Sequence, residues 1–227
     1  NNYNWYPSTG LNSTIGSTVT ASPISSTSYS VIGTSMNGCL DTISTVVSVN
    51  PNPIINTFPV NAEICKGDTV LLYVDGAATY IWSPSLGLNS SSLDTVQAFP
   101  LSNTIFSVLG IDSLGCSNSS SIYVNVNDLP IIDITSPEPD ICLGEAILLT
   151  ATGGIQYNWQ PSNSLNSNVG NVVSASPTIT THYMVTGIDA NSCSSWDTIS
   201  ISVSPLPILS INSISSTICN GESVTLV

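Results

Sequence analysis

Basic side chains are almost missing from this chain. Lys66 is the sole lysine, arginine does not occur, and His182 is the only histidine, against 14 acidic residues and a formal net charge of −13. Recognition of nucleic acid needs a Lys/Arg footprint on phosphate, so nucleic acid is excluded as a partner. Charged residues of both signs make up only 7% of the chain, so solubility rests on Ser, Thr, Asn, Gly and the carboxylates. Long apolar runs are missing too. Nothing approaches the roughly 18 residues of a membrane span, and no membrane contact is expected within this segment. Neither a signal peptide nor a sorting motif is recognisable. With one His and one Lys, a Ser/His/Asp or Cys/His nucleophilic site would have to arise in one place only, which argues against an enzyme and against a catalytic residue. A carboxylate-pair glycosidase would need a cleft. The six cysteines have no histidines at ligand spacing, so neither zinc nor any other cofactor is expected. Cysteines without such partners point to an oxidising, extracytoplasmic setting.

What is present is repetition. "NYNWYPSTGLN", "TYIWSPSLGLN" and "QYNWQPSNSLN" begin at residues 2, 79 and 156, and Trp5, Trp82 and Trp159 stand 77 apart. Cys39, Cys116 and Cys193 keep that interval, and so do Cys65, Cys142 and Cys219. Pro53/Pro130/Pro207 and Gly33/Gly110/Gly187 follow it. A period this long marks a tandem array of small domains. Two whole domains are predicted over 52–128 and 129–205. Partial ones lie over 1–51, lacking its first two strands, and over 206–227, holding only those two. Half a sandwich leaves its core face and strand edges open. The sequence therefore reads as a window of a continuous filament, with neighbouring segments completing each end. Strand donation between separate chains is the less favoured way of satisfying the same need.

Helical periodicity is absent, and short alternating runs separated by Gly/Pro/Asn/Ser turns read as strands. Comparing copies assigns their faces. Val70, Leu72 and Val74 match Ile147, Leu149 and Ala151, whereas Leu71 becomes Leu148 and then Thr225, so the first set faces inward. Tyr80 and Trp82 share a face, and the position between them varies as Asn4, Ile81 and Asn158. Phe106/Val108/Gly110 match Tyr183/Val185/Gly187, and the glycine is expected to leave room for the indole. About seven strands per repeat, with an inward Trp on the third, predict an all-β rod of tandem immunoglobulin-like sandwiches whose core centres on Trp5, Trp82 and Trp159. In the 129–205 copy the strands fall near 131–135 (A), 145–151 (B), 156–160 (C), 172–176 (E), 181–188 (F) and 196–204 (G), with a further strand D between C and E. The junctions "VNPNP", "VNDLP" and "VSPLP" are short and proline-bearing, which favours a semi-rigid connection.

The cysteines do not sit where an immunoglobulin bridge sits. Those slots hold Leu72 and Val108, while Cys65 precedes strand B in an A–B loop and Cys116 lies at the F–G turn. These are opposite ends of one sandwich, about 20–26 Å apart, whereas a bridge needs Cα atoms within about 7 Å. A head-to-tail array brings the A–B end of one domain to the F–G end of the next, so Cys65–Cys193 is the expected bridge. Cys65–Cys116 with Cys142–Cys193 is the alternative. The same ends carry carboxylates, and Glu63, Asp68 and Asp189 form a candidate oxygen-rich Ca²⁺ site at the junction, although polar turn residues account for them more simply. Trp196, matched by Ser119 and Thr42, is a candidate for stacking on a sugar ring, which makes an array of carbohydrate-binding modules the rival reading.

The combination "ICxGxxxxL", "YxWxP", "YxVxGxDxxGC" and "VxVxxxP" resembles the Ig-like/PKD-like repeats of giant cell-surface proteins in Bacteroidota. Many of those are adhesins, gliding adhesins among them, exported by the type IX secretion system. The copies depart from the pattern at Ser35, where Asp is expected, and at Ser192, where Gly is expected. The resemblance implies the shaft of a cell-surface or extracellular fibre whose expected partners are neighbouring repeats, with surface glycans as a further candidate. It also makes the Asp-(Ser/Thr)-apolar motif worth counting, because such bacteria O-glycosylate there. That motif places Thr42, Thr69, Thr95, Ser113 and Thr198 as acceptors, on five of the ten aspartates. The first expected outcome follows. Intact-mass spectrometry of the native protein should show whole-sugar increments on at least one of Thr42, Thr69, Thr95 and Thr198, and a bare polypeptide mass would refute it.

Overall fold

The computed structural model describes residues 1–212 and 217–226, and the chain divides into two compact units, Asn1–Val126 and Asn127–Val227. Every regular element among the described residues is a β-strand, and no helix is long and apolar enough to cross a membrane.

The first unit opens with β1 (Asn2–Tyr6), β2 (Thr27–Thr34) and β3 (Leu40–Val47), an antiparallel sheet in the order β1-β2-β3. A complete sandwich follows: β4 (Asn56–Phe58), β5 (Asn61–Cys65), β6 (Val70–Asp75), β7 (Thr79–Ser83), β8 (Thr95–Ala98), β9 (Thr104–Ile111) and β10 (Ser117–Asn127). Its sheets are β4-β6-β8 and β5-β10-β9-β7. The second unit repeats this with β11 (Asp133–Thr135), β12 (Asp140–Cys142), β13 (Ile147–Thr152), β14 (Gln156–Gln160), β15 (Val172–Ala175), β16 (Thr181–Ile188) and β17 (Ser194–Ser204). Its sheets are β11-β13-β15 and β12-β17-β16-β14, with β12 parallel to β17. This strand order, with a first strand that switches sheets partway, makes each repeat an immunoglobulin-like sandwich.

The inward series is where the comparison of copies puts it. Leu72, Val74, Trp82, Phe106, Val108 and Ile122 are buried in one core, and Leu149, Trp159, Tyr183, Val185 and Ile201 in the next. The intervening Leu71, Ile81 and Leu148 are exposed. Full burial of each such side chain stabilises by about 1.5–3 kcal/mol.

The recurring eleven-residue motif is a local packing unit. Tyr80 Oη accepts from the backbone N–H of Ala77 and donates to its carbonyl, both at 2.9 Å, and Tyr157 does the same with Gly154 at 2.7 Å. The indole N–H of Trp82 donates to Leu93 O, and that of Trp159 to Gly170 O, each at 2.9 Å. The following X–Pro bond is cis in all three copies. Ser85 O accepts from Leu88 N–H, and Asn89 Oδ1 accepts from Gln97 N–H at 2.8 Å, which fixes the approach to β8. In the complete copies the fixed Tyr, Trp and Asn side chains of the motif are thus each hydrogen-bonded to nearby backbone.

Three expectations need correction. The stretch expected as an A–B loop contains β5 and β12, since alternation in Ala62 and Ile64 is enough to pair with the last strand. No strand D forms. Residues 85–94 and 162–171 fold back on β7 and β14 through turns and single bridges such as Asn158↔Val169. The F-strand glycine does not make room for the indole. A Cβ on Gly110 would collide with Cδ1 of Ile55 and lie 2.9 Å from Cβ of Ala77, and one on Gly187 would collide with Ile132. The indole sits one register step away, opposite Val108 and Val185. Among the described residues of 206–227 the only pairing is a lone bridge at Leu226, and the strands A and B expected there fall partly on 213–216 and 227, which lie outside the description.

The glycine finding is testable by contrast. At the equivalent Gly33 a Cβ would make only ordinary contacts, 3.6 Å from the Tyr3 ring and 4.0 Å from Asp41 O. Gly110→Ala should destabilise its domain by about 1–3 kcal/mol through overpacking. Gly33→Ala should be neutral or slightly stabilising, since Ala suits a strand better than Gly by roughly 0.5–1 kcal/mol. Thermal melts of the two variants distinguish these outcomes, and equal losses would contradict the assignment.

Candidate functional site

Two kinds of turn carry most of the polar residues singled out in the sequence. The first joins β5 to β6 and β12 to β13. Cys65-Lys66-Gly67-Asp68 and Cys142-Leu143-Gly144-Glu145 close with the fourth N–H donating to the first carbonyl at 2.9 and 3.0 Å. The third position needs positive φ, and Gly67 and Gly144 take +98° and +96°. Glu145 reaches back so that its Oε2 accepts from Cys142 N–H at 2.8 Å, and Glu222 repeats this with Cys219 at 3.0 Å. The second turn joins β9 to β10 and β16 to β17. Asp112 Oδ1 accepts from Leu114 and Cys116 N–H, and Asp189 Oδ1 from Asn191 and Cys193 N–H, all at 2.9 Å. In the first copy Ser35 Oγ substitutes, accepting from Cys39 N–H at 3.1 Å.

These bonds assign the recurring carboxylates to turn geometry. No group of three or more His, Cys, Asp or Glu that could hold a metal occurs among the described residues. Asp189 spends one oxygen on its own turn, and Asn125 Nδ2 donates to Glu63 Oε1 at 3.4 Å. Asp197 has a similar role that sequence comparison missed. Its Oδ2 accepts from Ile134 N–H at 2.9 Å, tying β11 to β17 across the sandwich. The preceding copy makes that tie between the hydroxyls of Thr57 and Ser120, 3.1 Å apart, so a polar pair is kept while the residue types change.

Cys65 and Cys193 are each disulfide-bonded, whereas Cys39, Cys116, Cys142 and Cys219 carry free thiols. Cys116 and Cys142 therefore do not form the within-domain bridges of the alternative scheme. All five motif hydroxyls, on Thr42, Thr69, Thr95, Ser113 and Thr198, belong to exposed residues. His182 is exposed on β16. Trp196 is 65% exposed on β17, and its register neighbours across the sheet are Thr186 and then Asn158.

Concave features are shallow and chemically plain. An open hollow of about 670 Å³ is lined by Ala151–Tyr157 and Val169–Asn171, and the Tyr157 hydroxyl in it is committed to Gly154. A smaller apolar one of about 300 Å³ lies among Leu86, Phe99, Pro100 and Leu101. The equivalent positions of Leu86, Phe99 and Leu101 in the next copy are Asn163, Ser176 and Thr178.

No family model matches the chain, and no curated protein does. Among solved structures it is similar to the N-terminal eight Ig domains of the Down Syndrome Cell Adhesion Molecule (TM-score 0.46, 14% identity, 78% of this chain and 31% of that one). It is also similar to an I-band fragment of titin (TM-score 0.41, 13% identity, 90% of this chain and 88% of that one). A third likeness is to cadherin domains 1–4 of a gamma-B3 protocadherin (TM-score 0.31, 10% identity, 90% and 67%). The chain thus spans about a third of the first of these. The seven-strand topology, rather than these low-identity likenesses, identifies the fold.

Ser192 supplies a local test. It has φ +66°, the only positive value at a non-glycine residue among those described, where the other two copies have Gly38 and Gly115 at +80° and +84°. A left-handed conformation costs an ordinary L-residue about 1–2 kcal/mol. Ser192→Gly should raise the stability of the second unit by about 1 kcal/mol after the greater unfolded-state entropy of glycine is subtracted. A lower melting temperature would show that the serine side chain matters to the turn.

Proposed function

We propose that this chain is a shaft segment of a long extracellular bacterial surface fibre, of the adhesin or gliding-adhesin type in Bacteroidota, exported by type IX secretion. Its domains, bounded at 51/52, 128/129 and 205/206, hold a distal binding region away from the cell. The observation that carries this reading is what the copies keep and what they let drift. Buried positions, the Trp and Asn bonds of the motif, and the turn-closing side chains recur. Outward positions do not: Asn4, Ile81 and Asn158 are equivalent, as are Ser28, Ile105 and His182. An array of binding modules would keep an exposed patch in each copy, whereas a shaft keeps only the fold. Trp196 fits the sugar-binding rival poorly, because it occurs in one copy and its register neighbours are not aromatic. The exposed hydroxyls of the five Asp-(Ser/Thr)-apolar motifs are accessible to O-glycosylation, which would help a surface with so few charges stay dispersed.

Within this reading Cys65 pairs with Cys193, and the bridge keeps the linker between consecutive domains from extending under load. What supports the pairing is that these two sulfurs are oxidised and the other four are not. Single-molecule stretching of the 227-residue chain tests both the mechanical role and the bridge. The 127 residues between positions 65 and 193 would be shielded from extension until the bond is reduced. Reduction should therefore lengthen the fully stretched chain by roughly 42–46 nm at 3.3–3.6 Å per residue. An unchanged contour length would refute the pairing. Unfolding without measurable force would refute the shaft.

A further inference from the structure

The outer face of the sheet β5-β10-β9-β7 carries large apolar side chains that its counterpart in the next copy lacks. Ile81 on β7, Ile105 and Leu109 on β9 and Tyr123 on β10 are 52%, 59%, 38% and 41% exposed. Register gathers them. Ile81 lies opposite Leu109, which lies opposite Ser119, and Ile105 lies opposite Tyr123. The row between is serine throughout, with Ser83, Ser107 and Ser121 side by side. The four apolar positions become Asn158, His182, Thr186 and Ser200 at the 77-residue spacing, so the fold does not require an apolar residue at any of them. Charge is scarce on the same face. Glu63 on the edge strand β5 is the one charged residue in these four strands, and Asn125 Nδ2 donates to it.

We propose that this face docks a second copy of the chain, sheet against sheet. Two arguments select that occupant. The first is charge. Copies of net charge −13 repel one another, and the repulsion is least where both present a surface without carboxylates. The second is fit. Packed sheets lie about 10 Å apart with strands within about 30° of alignment, and a two-fold axis makes the contact self-complementary. An axis in the interface through Ser107 sets Ser107 against its own counterpart and a large side chain over the small Ser119. With the strands of the two copies opposed, that side chain is Tyr123, and Leu109 meets Ile105. With them aligned it is Ile81, and Leu109 and Ile105 each meet their own counterparts. Three to four strands at about 4.8 Å spacing and about 27 Å length cover roughly 400–500 Å² per copy, or about 800–1,000 Å² in all. A contact of that size belongs to the weak, reversible class. The inference goes beyond the shaft reading and does not depend on it, since pulling tests one chain and pairing needs two.

The test uses the full chain with its free thiols alkylated, so that disulfide exchange cannot mimic pairing. Sedimentation equilibrium over about 10 µM to 1 mM, the span in which so small an interface dissociates, should show the mass rising from the 23.6 kDa of one copy towards that of two. Added NaCl should tighten the pairing, because it screens the repulsion between copies and leaves apolar contact intact. Ile81→Lys and Ile105→Lys, both at exposed positions, should each weaken it by about tenfold or more. Two controls should leave it unchanged: Leu71→Lys, exposed on the other sheet of the same domain, and Asn158→Lys, at the Ile81 position of the next copy. Dilution followed by NMR needs no variant. It should move the methyl signals of Ile81, Ile105 and Leu109 and leave that of Leu148 in place. A chain that stays at one copy up to about 1 mM overturns the proposal. So do variants at Ile81 and Ile105 that pair like the wild type, controls that weaken pairing as much, or pairing that salt loosens. Methyl signals that answer to a neutral hexose oligosaccharide such as cellohexaose, and not to dilution, would assign the face to a sugar and overturn it too.

Discussion

The bond on which each domain depends is the one from the indole N–H to a carbonyl eleven residues further on. A tryptophan can be buried whole only if its single polar group is satisfied, since an orphaned donor in an apolar core costs about 1–3 kcal/mol. Here the connection after strand C folds back over the strand that carries the tryptophan, and it presents Gly16, Leu93 or Gly170 O at the same 2.9 Å each time. The backbone N–H of the same tryptophan reaches the same connection, at Thr14, Ser91 and Asn168. This double anchorage explains why no strand D is needed. The segment that would have formed it is used to close the core around the ring. It also explains the Leu-Asn that ends the motif, because the connection must then be delivered to β8 or β15 at a fixed point, and the asparagine oxygen does that.

Much of this was legible in the sequence, for a physical reason. With copies to compare, a position that varies between Asn, Ile and Asn while its neighbours hold Tyr and Trp must point outward, and strand period then assigns every second residue. Strands B, C, E, F and G fell within two residues of their predicted bounds by this route. The switched half of the first strand did not, because a three-residue pairing such as Asp140–Cys142 is too short for alternation to register. It is defined by its partner strand, which lies more than fifty residues away in sequence. The F-strand glycine was located, but its neighbour was misassigned. Residue identity says that something large approaches, and only the fold says that it is Ile55 or Ile132 from the first strand rather than the indole.

The polar residues divide along the same line. Asp112, Asp189 and Glu145 recur with period 77, and recurrence alone cannot separate a metal ligand from a turn lock. Their bonds to N–H groups two to four residues away do separate them, because a carboxylate oxygen already accepting two backbone donors is poorly placed to bind a cation. Asp197 illustrates the opposite blindness. It has no acidic counterpart in the other copies, so comparison treats it as drift, yet it makes the same cross-sandwich tie as the Thr57–Ser120 pair. What is kept there is a function of the position, not a residue.

The incomplete copy at the start of the chain separates the parts of the domain that stand alone from those that do not. Without strands A and B, β1, β2 and β3 still pair over their full length, Trp5 still makes its indole bond, and Tyr29 remains 2% exposed with its hydroxyl on Thr9 O at 2.6 Å. Thr18–Ala21, equivalent to β8, makes the single bridge Leu11↔Ala21. The C–F–G half with its folded-back connection is thus locally determined, built from contacts within one stretch of about 50 residues. In the complete copies strand E pairs with strand B, β8 with β6 and β15 with β13, across the C strand and the connection that follows it.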